Sequence, residues 1–435
     1  MKENSKKMGF LSVILLGMNG IVGSGIFLLP GKVMALMGSW SLLVYVFVAV
    51  LVMSIAWCFA QCASLFERNG AAYVYAKAAF GNFIGFQVGI LRWISGIIAW
   101  ASLAVGLVTA ISTVFPAILL EPYRSLFILS WMGGLALLNI RGLKIFQYFN
   151  NLITVAKMVP LILLTLLGLF FINQANFLPQ PEQTIHIDTF GSASLLIFYA
   201  FGGFESLPVA AAEMKDPKKN LPLAVMIIIA FCSLFYLVIQ TVAIGVLGPD
   251  LASSATPMAD IAEKLLGPTG KWAVTVAMLI SIGGVNLASS FNTPRSGVAL
   301  AENHMLPPIM AKKNLFGTPY VAILITVSLA SLIALSGNFT QLVMISVIAR
   351  FVQYLSTCVA VIVFHRRGQL KHLKMWIPLL AITGIFWLLG LANTQQLLWG
   401  AFVMGLGIVL YFAQNLFKGT ISIDTQDEKA SIPVS

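Results

Sequence analysis

The sequence predicts an all-α polytopic membrane protein with twelve transmembrane helices. Three observations predict it. The 435 residues are 59% hydrophobic and only 9% charged, against about 25% charged in soluble domains. Apolar runs of roughly 17–25 residues, the length that crosses a bilayer, recur along the whole chain. Only short polar or Gly/Pro-rich connectors, such as 173–188 and 213–221, separate them, which leaves nothing to fold as a soluble domain. One transmembrane domain is expected over 1–435.

Taken in order, the spans are expected near 9–29, 40–64, 83–115, 125–140, 148–172, 189–212, 222–247, 271–293, 319–336, 340–365, 376–392 and 396–417. The first has a basic lead from Lys2 to Lys7 but no small-residue cleavage site, and further spans follow, so it reads as a retained helix. The first and sixth differ from the rest because glycine interrupts them, in GIVGSGIFLLPG at 20–31 and FYAFGGFES at 198–206. Each interior glycine costs about 1 kcal/mol against alanine. In hydrocarbon, a broken helix also leaves backbone groups with no water to satisfy them. Interruptions at matching positions are the mark of inverted repeats whose discontinuous helices meet near mid-membrane. A five-plus-five arrangement follows, with one repeat at about 8–172, the second at about 189–366, and two further helices at about 376–417. Close packing through small residues is the plainer explanation for either cluster taken alone.

The net charge of +11 is a topology signal and not a nucleic-acid one. With a cytoplasmic N-terminus, 19 of the 26 Lys and Arg fall on cytoplasmic connectors, among them Lys215, Lys218, Lys219, Arg366, Arg367, Lys371 and Lys374. Four fall outside (Lys32, Arg124, Lys264, Lys271) and three within spans (Arg92, Lys157, Arg350). That asymmetry follows the positive-inside rule and places both termini in the cytoplasm. Cys58, Cys62, Cys232 and Cys358 all lie in spans and read as buried thiols, with no metal site. The histidines (His186, His304, His365, His372) fall in connectors or at a span end, and neither GxSxG nor HExxH occurs. An intramembrane enzyme is therefore not expected. A channel would need a repeated filter or a charged ring, and neither is visible. The Asn-Phe-Thr sequon at 338–340 carries little weight.

The backbone of the first break suggests its chemistry. Gly23, Ser24 and Gly25 can present N–H groups without side-chain obstruction, at the positive end of the half-helix that begins there. Such an end attracts a carboxylate, worth about 0.3–1 kcal/mol when exposed and up to about 2 kcal/mol when partly buried. Helix-end carbonyls at Gly202–Gly203 would suit an α-ammonium group. Two opposed breaks would hold a zwitterion end to end.

Several long motifs, in order and over nearly the whole chain, resemble the amino acid–polyamine–organocation superfamily. They are GSGIFLLPG at 23–31, GAAYVYAKAAFG at 70–81, NIRGLKIFQYFNNLITVAKMVPL at 139–161, FYAFGGFESLPVAAAEMKDPKKNLPLA at 198–224 and RSGVALAENHMLPP at 295–308. Similarity is greatest to bacterial amino acid permeases and the arginine/agmatine antiporter. The resemblance departs at Gln61, where the family often has Glu, and at Glu67, Gly70 and Ala71, where a Pro and two Gly are usual. It implies a leucine-transporter-type fold in the inner membrane, with the substrate carboxylate on Gly23, Ser24 and Gly25. Ile21, Tyr199, Gly202, Gly203 and Phe204 would serve the amine and the lid, and Ser95 would be a small pocket residue. Trp100 stands where the antiporter has a polar Asn, which argues against a pocket for arginine.

Intramembrane ionisable groups each cost roughly 2.5–3.5 kcal/mol at a helix centre, so each needs a partner or water. The resemblance puts Lys157 where sodium-coupled transporters of this fold bind their cation. A compact ammonium can stand in for that ion, and burial disfavours its charged form. A lysine bonded to backbone carbonyls for structure alone is the alternative. Glu205 is expected to pair with Arg92, and Arg350 reads equally as an anchor or a gate. The expected function is proton-coupled uptake of neutral L-amino acids, without cofactor, with protons and the lipid bilayer as partners. Amino acid/amine or amino acid/amino acid exchange is the alternative. An amino acid sensor is more remote, since it would usually need a signalling domain or an extended tail. Some relatives dimerise through the last two helices, and a homodimer stays open.

Overall fold

The computed structural model describes residues 9–66, 71–112, 114–141, 144–178, 186–303, 305–371, 373–392 and 394–418. Among them every regular element is helical. The helices are α1 (Phe10–Ile21), α2 (Ser24–Met37), α3 (Ser41–Ala63), α4 (Ala72–Phe80), α5 (Asn82–Ile111), α6 (Tyr123–Arg141) and α7 (Lys144–Leu169). They continue as α8 (Ile187–Ala200), α9 (Pro217–Leu247), α10 (Pro257–Glu302), α11 (Tyr320–Ser336), α12 (Phe339–Arg366), α13 (Trp376–Gly390) and α14 (Thr394–Lys418). Eight helical stretches are long and apolar enough to cross a membrane, with shorter apolar helices at Phe10–Ile21, Tyr320–Ser336, Trp376–Gly390 and Leu397–Phe412. The chain is an all-α polytopic membrane protein.

Burial sorts the helices into an inner and an outer set. The apolar window of α5 is 78% buried and that of α6 only 28%, so α5 runs through the middle of the bundle. It packs against α4, α10, α11 and α12. Large apolar side chains such as Leu126, Leu137, Leu163 and Phe402 stay exposed on outer helices, where lipid would cover them.

Both expected breaks are present, with local causes. Between α1 and α2, Val22 is extended and Gly23 adopts φ −133°, ψ −144°. After α8, Gly203 takes φ +124°, a conformation that favours glycine. The chain then continues as a 3-10 helix, Phe204–Glu213, and not as the α-helix expected to 212. Pro208 inside it lacks the N–H that an α-helical bond would use. The half-helices α2 and α8 meet closely, because a Cβ on Gly25 would fall 2.8 Å from Ala200.

α10 joins a short helix that the apolar runs did not show to the longer helix that contains the eighth expected span. α10 starts at Pro257 and bends at Gly267, where φ is +70°. Glu263 and Lys264 made 257–266 read as a connector, yet Met258, Ile261 and Ala262 bury one face of it. Glu67, Gly70, His304 and His372 lie outside the described residues. Gln61 lies in α3, and Ala71 precedes α4 with φ +48°.

Candidate functional site

The two breaks face one cavity of about 110 Å³. One water needs about 10–15 Å³ of such space, so the cavity holds several waters or a compact solute. Ile21, Gly23, Ser24 and Gly25 form one wall; Tyr199, Gly202, Gly203 and Glu205 form the facing one. Arg92 and Ser95 reach it from α5, and Arg350 and Gln353 from α12.

Each wall follows from its helix ends. The first N–H groups of α2 have no intrahelical acceptor, and Gly23 supplies no side-chain cap. Those donors open on the cavity at Ser24 and Gly25. Across the gap, the Tyr199 hydroxyl lies 2.8 Å from Ser102 Oγ and 3.4 Å from Ser24 Oγ. The Tyr199 ring is met edge-on by Phe339, with centroids 6.1 Å apart. Tyr199 therefore sits over the GSG turn.

Carbonyls freed by the breaks find donors on neighbouring helices. Lys157 is fully buried in α7, behind the first break and off the cavity wall. Its Nζ donates to the Asn19 carbonyl at 3.0 Å and to the Val22 carbonyl. Ser281 Oγ donates to the Val22 carbonyl as well, at 3.4 Å. On α9, the Tyr236 hydroxyl shares its one hydrogen between the Ile21 carbonyl at 3.3 Å and the Ala200 carbonyl at 3.2 Å, so one group spans both breaks. Replacing Tyr236 by Phe should lower stability by about 1–3 kcal/mol, the cost of a buried acceptor left unpaired. Thermal melting of purified Y236F checks this, and an unchanged melting point would remove the bridge from the argument.

Glu205 has a different partner from the one expected. Its Oε2 accepts the Gly203 N–H at 2.8 Å, which caps the second break. Its Oε1 lies 3.7 Å from Arg350 Nε on α12. Arg92 instead donates to Ser206 Oγ at 3.4 Å. The carboxylate turns back onto its own helix start, and from there the α12 arginine is the cation within ion-pair reach. Arg350 thus both approaches the carboxylate at the second break and lines the cavity.

Two more expectations need correction. Phe204 is 1% exposed and does not line the cavity; its ring packs on Phe59 and stacks on Tyr354. Trp100 is fully buried and also off the cavity wall, so it carries no information on the substrate. The α5 positions that do line the cavity are 92, 95, 96, 99 and 103. Trp100 lies on another face of the same helix.

Sequence reasoning missed Ser102, Tyr236, Gln353 and a polar stripe on α10. Ser289, Asn292, Thr293 and Ser296 line the cavity at helical spacing. That periodicity inside an apolar run was the available signal. Tyr236 gave none, being one more aromatic in an apolar helix. All four cysteines are buried free thiols.

Comparison with known proteins agrees with this architecture. The family model described as amino acid permease matches residues 8–415. An uncharacterized transporter of Mycobacterium tuberculosis (strain ATCC 25618 / H37Rv) is 34% identical over 393 residues, 84% of this chain and 82% of that protein. The serine/threonine exchanger SteT of Bacillus subtilis (strain 168) is 27% identical over 88% of this chain and 90% of its own. The putrescine transporter PotE of Escherichia coli (strain K12) is 24% identical over 94% and 96%. The chain belongs to the amino acid permease family, within the amino acid–polyamine–organocation superfamily.

Proposed function

We propose that the protein carries L-amino acids across the cytoplasmic membrane by alternating access, driven by protons. The observation that carries this reading is the pair of opposed helix breaks around one cavity. It offers the free N–H groups of α2 to a carboxylate and the α8 end to an ammonium group. In this reading the chain is one domain of twelve spans, five-plus-five with two added, and both termini are cytoplasmic.

Lys157 supplies the coupling. Its ammonium holds two carbonyls of the first break. Loss of its proton would weaken that hold and let α1 move against α7. Proton binding and the position of the break are then linked, as alternating access requires. No sodium ion is needed.

Exchange is the second reading, favoured by the relative named as a serine/threonine exchanger. Proteoliposomes with an inward proton gradient test both. Coupled uptake predicts accumulation of labelled amino acid into empty vesicles, lost with a protonophore. Obligatory exchange predicts uptake only into preloaded vesicles. Binding without either kind of flux would overturn transport in favour of a sensor.

A further inference from the structure

The charge on the cavity wall is unbalanced. Its charged residues are Arg92, Arg350 and Glu205, two guanidinium groups for one carboxylate. Arg350 is 8% exposed, and a Cβ on Gly202 would clash with its Nη1. Its guanidinium therefore lies against the second break, one helical turn from Tyr199. Glu205 approaches it at Nε, 3.7 Å away, and divides itself with the Gly203 N–H. Arg92 donates to a serine hydroxyl, and no carboxylate lies within ion-pair reach of it among the described residues. A separate vestibule lined by Lys32, Asn338, Phe339 and Gln341 has no acidic residue on its wall.

We propose that the cavity selects dicarboxylic amino acids, with Arg350 as the specificity-determining residue that binds the side-chain carboxylate. The inference rests on the amino acid transport reading and deepens it. A zwitterion with a neutral side chain brings no net charge and leaves one guanidinium in excess. A diamine or a basic amino acid adds to that excess. A second carboxylate cancels it and offers a planar pair of acceptors to the arginine fork. Arg92 sits ten residues before Ser102 on α5, roughly 15 Å along the axis. Its guanidinium donates to Ser206 Oγ, so it acts on the substrate mainly through its field. This replaces the neutral preference expected from Trp100 and from the excess of intramembrane cations, an excess that disfavours a cationic substrate but favours an acidic one over a neutral one.

The test is binding to full-length purified protein by isothermal titration, with L-glutamate, L-aspartate, L-glutamine, L-asparagine, L-serine and putrescine as probes. The expected result is at least about tenfold tighter binding of the acids than of their amides, with putrescine weakest. In R350Q that preference should disappear while amide binding persists, and R350K should keep part of it. Should R350Q prove unstable, R92Q gives the second measurement, with a smaller loss for acids that shrinks further in high salt. Amides binding as well as acids to the wild-type protein would overturn the proposal and leave amino acid transport standing. If none of the amino acids binds, the transport reading falls with it.

Discussion

Replacing Glu205 by alanine is expected to destabilise the protein by about 3–5 kcal/mol, the cost of leaving a buried charge without its partner. The carboxylate is 4% exposed and Arg350 8%, so neither has bulk water to fall back on. Alanine also frees the Gly203 N–H, the donor that Glu205 caps at 2.8 Å. E205Q separates these effects. An amide oxygen still accepts from Gly203 but no longer neutralises the arginine, so E205Q should be milder than E205A and still impaired. A second change identifies the partner. R350Q added to E205Q should recover part of the lost stability, and R92Q added to E205Q should not. Melting temperatures of the wild-type protein and the four variants decide it. Recovery by R92Q alone would restore the pair first expected from the sequence.

Lys157→Ala should have the other large effect. It leaves the Asn19 carbonyl without its ammonium donor, and the Val22 carbonyl with only the Ser281 hydroxyl, in a fully buried place. Unsatisfied buried acceptors cost about 1–3 kcal/mol each, and the lost side chain leaves a cavity besides. Stability alone would not separate a coupling role from a structural one. The proton gradient does. Under the proposed mechanism, K157A that still folds loses accumulation driven by external acid but keeps counterflow exchange of preloaded substrate. Accumulation against a gradient with wild-type pH dependence would leave Lys157 a structural lysine.

How much of this was legible in the sequence follows from the range of each interaction. The apolar runs and the two glycine breaks could be read because span length and helix propensity are local properties. GSG and FGG break their helices wherever those helices are placed. The uncapped N–H groups at Ser24 and Gly25 could be read for the same reason, since they are left over by the break itself. Trp100 shows a local signal misused. The cavity face of α5 repeats through 92, 95, 96, 99 and 103, and Trp100 does not belong to it. The start of α10 was hidden by charged residues on the exposed face of a helix whose other face is buried.

Pairing across helices could not be read at all. Arg92 and Arg350 are both intramembrane cations, and nothing in their neighbourhoods says which one reaches Glu205. That choice depends on how α5 and α12 pack against the second break, and on the turn of the carboxylate back toward Gly203. Tyr236 is a sharper case, for its role exists only because α9 passes between the ends of α1 and α8. By itself the sequence determined a polytopic membrane protein with two broken helices and free backbone N–H groups at the first break, because length and backbone geometry are properties of a segment. The tertiary structure alone decided which side chains satisfy the breaks and what charge faces the substrate, because a hydrogen bond or ion pair depends on a distance between segments far apart in the chain.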